Sequence, residues 1–107
     1  MLRDMKPELR NILVVDDEAS MRHMVRLVLE KRGYRVVEAG EGRVALELLR
    51  AEAFDAVLCD IRMPGMDGLD FLREMAKRDF SPTVIMMSAY GTIDTAVECM
   101  KLGAYDY

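Results

Sequence analysis

A chain of 107 residues, 51% apolar and 32% charged, has the composition of one folded domain and leaves no room for a second, nor does it read as a disordered tail. The formal charge of -4 is mild, and the 15 Lys and Arg residues are scattered without a basic face, which argues against direct nucleic-acid binding. No apolar run approaches the roughly 20 residues that a membrane span needs.

Residues 1–10 carry Arg3, Asp4, Lys6, Glu8 and Arg10 with no apolar core, so they read as a flexible lead-in and not as a signal peptide. Ile12-Leu13-Val14-Val15 is a compact β-branched run that ends in Asp16-Asp17-Glu18, the pattern of a buried strand delivering acids to its carboxyl end. From Ala19 the period changes. Met21, Met24, Val25 and Val28 recur at helical spacing, and Gly33 supplies the stop.

Tyr34 to Ala39 has strand composition and reads as more exposed than the first strand. Gly40 and Gly42 break it before Val44, Ala45, Leu48 and Leu49 give a second helical stripe. Phe54 to Asp60 is a third strand. Met63-Pro64-Gly65-Met66-Asp67-Gly68 is then a loop, because Pro and two Gly forbid continuation, and a helix follows with Leu69, Leu72, Met75 and Ala76. Pro82 to Ser88 reads as a fourth strand, with the proline at its start where a missing donor is tolerated. Ile93, Ala96, Val97 and Met100 make a fourth helix that Gly103 ends, and Ala104 to Tyr107 begins a fifth strand.

Strict alternation of buried strands and amphipathic helices predicts an α/β domain, a parallel sheet covered on both faces. The methionines fall mostly in helical stripes and read as core filler. Cys59 and Cys99 occupy core-like positions, which suggests a reducing compartment, with cytoplasm the expectation.

In a parallel sheet all carboxyl ends lie on one edge, so Asp16, Asp17, Asp60 and Ser88 can converge there. Carboxylates this close repel by on the order of 4 kcal/mol per pair at ~4 Å and an effective dielectric near 20, so the cluster implies a cation or protons. Oxygen donors without His or Cys favour magnesium over zinc. Such an ion would orient a phosphoryl group for attack by a carboxylate, and Asp60 is the best nucleophile because it ends the central apolar strand.

Asp16-Asp17, the run Asp60-Ile-Arg-Met-Pro-Gly-Met-Asp-Gly and Ser88-Ala89 occur in that order and spacing. From Asn11 onward the chain thereby resembles the receiver domain of bacterial two-component response regulators, residues 11–107 being the domain. The resemblance implies a flavodoxin-like, doubly wound parallel sheet of the chemotaxis-receiver type, order 2-1-3-4-5. It implies that Asp60 accepts phosphoryl from a sensor histidine kinase. Mg2+ would be bound by Asp17, Asp60 and the backbone carbonyl of Arg62, with Asp16 helping through water.

By the same resemblance Ser88 bonds a phosphoryl oxygen, Ala89 is the small residue that leaves access, Arg62 and Tyr90 tune phosphoryl lifetime, and Tyr107 is the switch aromatic. The stretch from Ser88 to Tyr107 is similar to the NtrC type, whose receivers precede an ATPase domain and a DNA-binding helix-turn-helix, neither of which is in this sequence. Such a domain is a regulatory phosphoacceptor and not a turnover enzyme, read out by homodimerisation through helix four and strand five. The family's lysine, the end of strand five and the fifth helix fall beyond Tyr107, and an end inside a strand reads as a cut. Apolar area beside helix one would then be left for another chain to cover.

Taken singly, these residues have plainer readings. Asp16, Asp17 and Glu18 suit the N-terminus of a helix, Asp60 and Ser88 suit a turn, and His23 sits among polar positions and reads as solvated. An aspartyl-phosphate phosphotransferase or phosphatase of similar fold is the alternative enzyme, though no cap segment is evident. A nucleotide or flavin binder is disfavoured because acids replace a glycine-rich phosphate loop after the first strand.

Overall fold

The computed structural model describes residues 11–60, 66, 68–78 and 83–87. Its elements are β1 (Asn11–Val15), α1 (Ala19–Lys31), β2 (Arg35–Ala39), α2 (Gly42–Ala51), β3 (Ala56–Asp60), α3 (Gly68–Lys77) and β4 (Thr83–Met87). The expected fourth helix and fifth strand, together with Pro82 and Cys99, lie outside the described residues.

The four strands are parallel and ordered β2-β1-β3-β4, the described part of the flavodoxin-like order. Between β1 and β3 the chain reverses the direction in which it adds strands, and such switch points open a crevice at the carboxyl ends. Register sets what lies there. Val15 pairs with Cys59, so the next residues, Asp16 and Asp60, leave the sheet side by side.

Alternation along each strand splits the core between two faces. Leu13, Val15, Val57, Cys59, Val84 and Met86 pack with Ala45, Leu46 and Leu49 of α2 and with Phe71, Leu72 and Met75 of α3. Ile12, Val14, Ala56, Leu58 and Ile85 face the other way, where Leu29 of α1 covers them with Val25 and Tyr34. β1 is buried along almost its whole length while β2 is only partly buried, with Arg35 exposed and Val37 and Glu38 half-buried, as an outer strand should be.

The inward face of α1 departs from the expected stripe. Met21, Met24, Leu27 and Val28 are exposed, Met24 at 54%, and Leu29 is the one fully buried side chain of the helix. The helix carries two apolar stripes at helical spacing, and periodicity alone does not say which turns inward. The sheet contact goes to Val25 and Leu29, four residues apart. For Met21 and Met24 the core-filler reading is therefore corrected, whereas Met75 and Met86 are buried. In α3, Phe71 is buried and Ala76 exposed.

Two glycines expected in breaks or loops, Gly42 and Gly68, instead open α2 and α3. Gly33 has φ 91° and ends α1: its N–H donates to the Glu30 carbonyl at 3.0 Å and Tyr34 N–H to Leu29 at 3.2 Å. These two bonds form a Schellman stop, with Gly33 in the left-handed region that favours glycine. Among the described residues no helix is long and apolar enough to cross a membrane.

Candidate functional site

Asp16 and Asp17 follow β1 and Asp60 ends β3, so parallel pairing brings the three acids to one edge. One carboxylate oxygen from each lies within 4.8 Å of the others. The three are graded in exposure: Asp16 is buried at 5%, Asp60 half-buried and Asp17 exposed.

These acids are not spent on capping α1. The N-cap residue is Glu18, which makes no side-chain cap bond, and the first turn holds no acid. Asp16 instead closes a tight turn, its Oδ1 accepting the Glu18 N–H at 2.9 Å. Burial pushes the Asp16 carboxyl above its ordinary range, the Glu18 N–H pulls it down, and the charges of Asp60 and Asp17 push it further up. The acids thus repel in a place that holds them together.

A hard divalent cation fits this donor set. Ligands on one Mg2+ at ~2.1 Å stand about 3 Å apart when adjacent and about 4.2 Å when opposite. The carboxylate oxygens of Asp16, Asp17 and Asp60, within 4.8 Å of one another, are near that spacing. All donors are oxygen and at least one is solvent-accessible, as suits an ion that keeps several waters.

Arg62, Ser88, Ala89, Tyr90 and Tyr107 lie outside the described residues. Two further features carry no local signal in the sequence. Arg22 of α1 donates from Nη1 to the Asp16 backbone carbonyl at 2.7 Å and from Nε to Glu38 Oε1 of β2 at 3.2 Å. Met66, in the segment after β3, lies over the start of α2: a Cβ on Gly42 would stand 2.9 Å from its Sδ. The Arg22–Glu38 and Gly42–Met66 pairings join segments far apart in the chain, which leaves only a weak hint in the sequence. The available hint was Arg22, an arginine one helical turn beyond the acid pair, with Glu38 near the end of the adjoining strand. His23 is exposed, as expected.

The sequence profile of the response regulator receiver domain matches residues 12–107. The chain is 48% identical over 103 residues to the transcriptional regulatory protein ZraR of Klebsiella oxytoca, covering 96% of this chain and 23% of that protein. It is 41% identical over 93 residues to sporulation initiation phosphotransferase F of Bacillus subtilis, covering 87% of this chain and 75% of that one. Among solved structures, the chemotaxis protein CheY4 of Vibrio cholerae superimposes with a TM-score of 0.86 at 29% identity, over 92% of this chain and 83% of that one. The chain thus spans under a quarter of the ZraR length and most of the other two.

Proposed function

This chain belongs to the response regulator receiver domain family, and from that premise we propose that it is a phosphoacceptor switch whose Asp60 takes a phosphoryl group from a sensor histidine kinase. The observation that carries this reading is the approach of Asp16, Asp17 and Asp60 to within 4.8 Å at neighbouring strand ends. Asp60 is the acceptor because its half-buried carboxylate stands at the rim of an interior strand, open to a donor yet held by the sheet.

Asp17, Asp60 and the backbone carbonyl of Arg62 would hold Mg2+ directly, and Asp16 through a water. Held there, such an ion would supply neutralisation of charge on the transferring oxygens. A carboxylate oxygen of Asp60 attacks phosphorus and forms the O–P bond as the P–N bond to the kinase imidazole breaks. The electron pair of the broken bond stays on the imidazole nitrogen. Ser88 donates its hydroxyl to a phosphoryl oxygen and Ala89 leaves the approach open. Arg62 and Tyr90 set how long the acyl phosphate survives, and Tyr107 reports its presence.

The charge added at the rim biases an equilibrium between two arrangements of the chain. Its readout is homodimerisation through helix four and strand five. ZraR is an NtrC-like regulator, and its similarity supports transcription as the eventual output, executed by ATPase and DNA-binding domains joined to such a receiver. The work is done in the cytoplasm, where such kinases present their phosphohistidine.

The likeness to a sporulation phosphotransferase over 75% of its length favours a second reading, in which Asp60 hands the phosphoryl group on to another protein's histidine. Both readings share the acceptor. Beryllium fluoride with Mg2+ tests it: a bound fluorine resonance is expected in the wild-type chain and absent in Asp60→Asn. An equal signal in both proteins would refute the assignment. Transfer of label from phosphorylated chain to a histidine phosphotransfer protein, against loss to water, separates switch from relay.

A further inference from the structure

Resting on the metal site proposed above, we infer that Arg22 is a positioning residue, one that sets the peptide between Asp16 and Asp17 so that both acids can serve one cation. The backbone of Asp16 is held from two directions. Its N–H donates to the Ala39 carbonyl at the end of β2, at 3.1 Å, and its carbonyl accepts from Arg22 Nη1 at 2.7 Å. That carbonyl belongs to the peptide plane joining the two acids, so holding it limits the directions in which the two Cα atoms present their side chains.

Arg22 is itself braced. Its Nε meets Glu38 Oε1 at 3.2 Å, and Glu38 Oε2 accepts from Arg26 Nη1 at 3.1 Å. The Arg22 side chain is only 19% exposed, and a Cβ on Gly40 would lie 3.4 Å from its Nη1, so the absence of a side chain there leaves room for the guanidinium. A planar fork that spans a carbonyl and a carboxylate at once is a geometry lysine does not reproduce.

The sign of the effect separates positioning from simple charge. Arg22 is a cation near a cation site, so if it acted only by its charge, removing it would tighten Mg2+ binding. Positioning gives the opposite. Arg22→Ala is expected to weaken Mg2+ affinity about tenfold, the lower end of what loss of a ligand-orienting partner costs. Arg26→Ala removes the same charge from the same glutamate without reaching Asp16, and is the control.

Calorimetric Mg2+ titration of wild type, Arg22→Ala, Arg22→Lys and Arg26→Ala reads this. The expected order is wild type and Arg26→Ala tightest, Arg22→Lys intermediate and Arg22→Ala weakest. In the metal-free proteins the Asp17 amide resonance is expected to shift in Arg22→Ala and to stay in place in Arg26→Ala. Affinity in Arg22→Ala equal to or tighter than wild type overturns the inference, as does an unmoved Asp17 amide. Should Arg22→Ala fail to fold, Arg22→Lys carries the same test, and wild-type affinity in it overturns the inference. A wild-type chain that binds no Mg2+ would instead overturn the metal site beneath it.

Discussion

Asp16 is the residue on which the competing demands of the site meet. It is buried beside two other carboxylates, and its carboxyl is pushed above the ordinary range chiefly by that burial. A raised value in the folded state means that the native protein binds the proton more readily than the unfolded chain. Stability therefore falls as pH rises from the ordinary aspartate range, about 3.9, through the raised native value, and the full penalty is present above it. Asp16→Asn removes the charge while keeping an oxygen to accept the Glu18 N–H. Without Mg2+, Asp16→Asn is expected to be more stable than wild type at neutral pH, the two converging as pH falls through that window. Urea midpoints across pH check this, and a constant difference would contradict it. The acids themselves were legible in the sequence because each follows an apolar run of strand length. Their support from Arg22 was not, since it depends on how α1 lies against β2.

At the scale of elements, the two faces of α1 make contrasting predictions. Leu29 is fully buried against the sheet and Leu27 is 48% exposed. Leu29→Ala is expected to cost about 2–5 kcal/mol and Leu27→Ser under about 0.5 kcal/mol in chemical denaturation. Similar losses at both sites would mean that the helix is turned the other way. This was the part of the fold least legible in sequence: Met21, Met24 and Val28 have helical spacing as regular as that of Val25 and Leu29, and only docking on β1 and β3 distinguishes them. The four described strands were read to within about two residues at each end, because β-branched runs ending in acids or bounded by Gly and Pro have few alternatives. The start of α2 shows the opposite case. Gly42 reads as a breaker, yet it is the first residue of the helix, where Met66 comes too close for a side chain. Gly42→Ala is expected to destabilise by about 1 kcal/mol or more from overpacking, and adding Met66→Ala should recover most of that loss. Additive effects in the double mutant would remove Met66 as the cause.

For the whole molecule, the three carboxylates held at one strand edge repel one another, and on the proposed reading a bound cation offsets that repulsion. Binding of Mg2+ to the folded state alone links occupancy to stability, by about 2.7 kcal/mol when the ion is at a hundred times its dissociation constant. A rise of the urea midpoint with Mg2+ is therefore expected in wild type and should be much reduced in Asp60→Asn. On the proposed reading, the same linkage offsets the repulsion among the three carboxylates at one strand edge. On the proposed reading, binding an ion is only preparation for the chemistry, in which Asp60 is the nucleophile. The most direct test is intact-mass analysis after incubation with Mg2+ and acetyl phosphate, with peptide mapping of the modified position. One phosphoryl group per chain, on Asp60, lost in Asp60→Asn and dependent on Mg2+, is the expected result. A chain that stays unmodified, or that carries its phosphoryl group elsewhere, would contradict it.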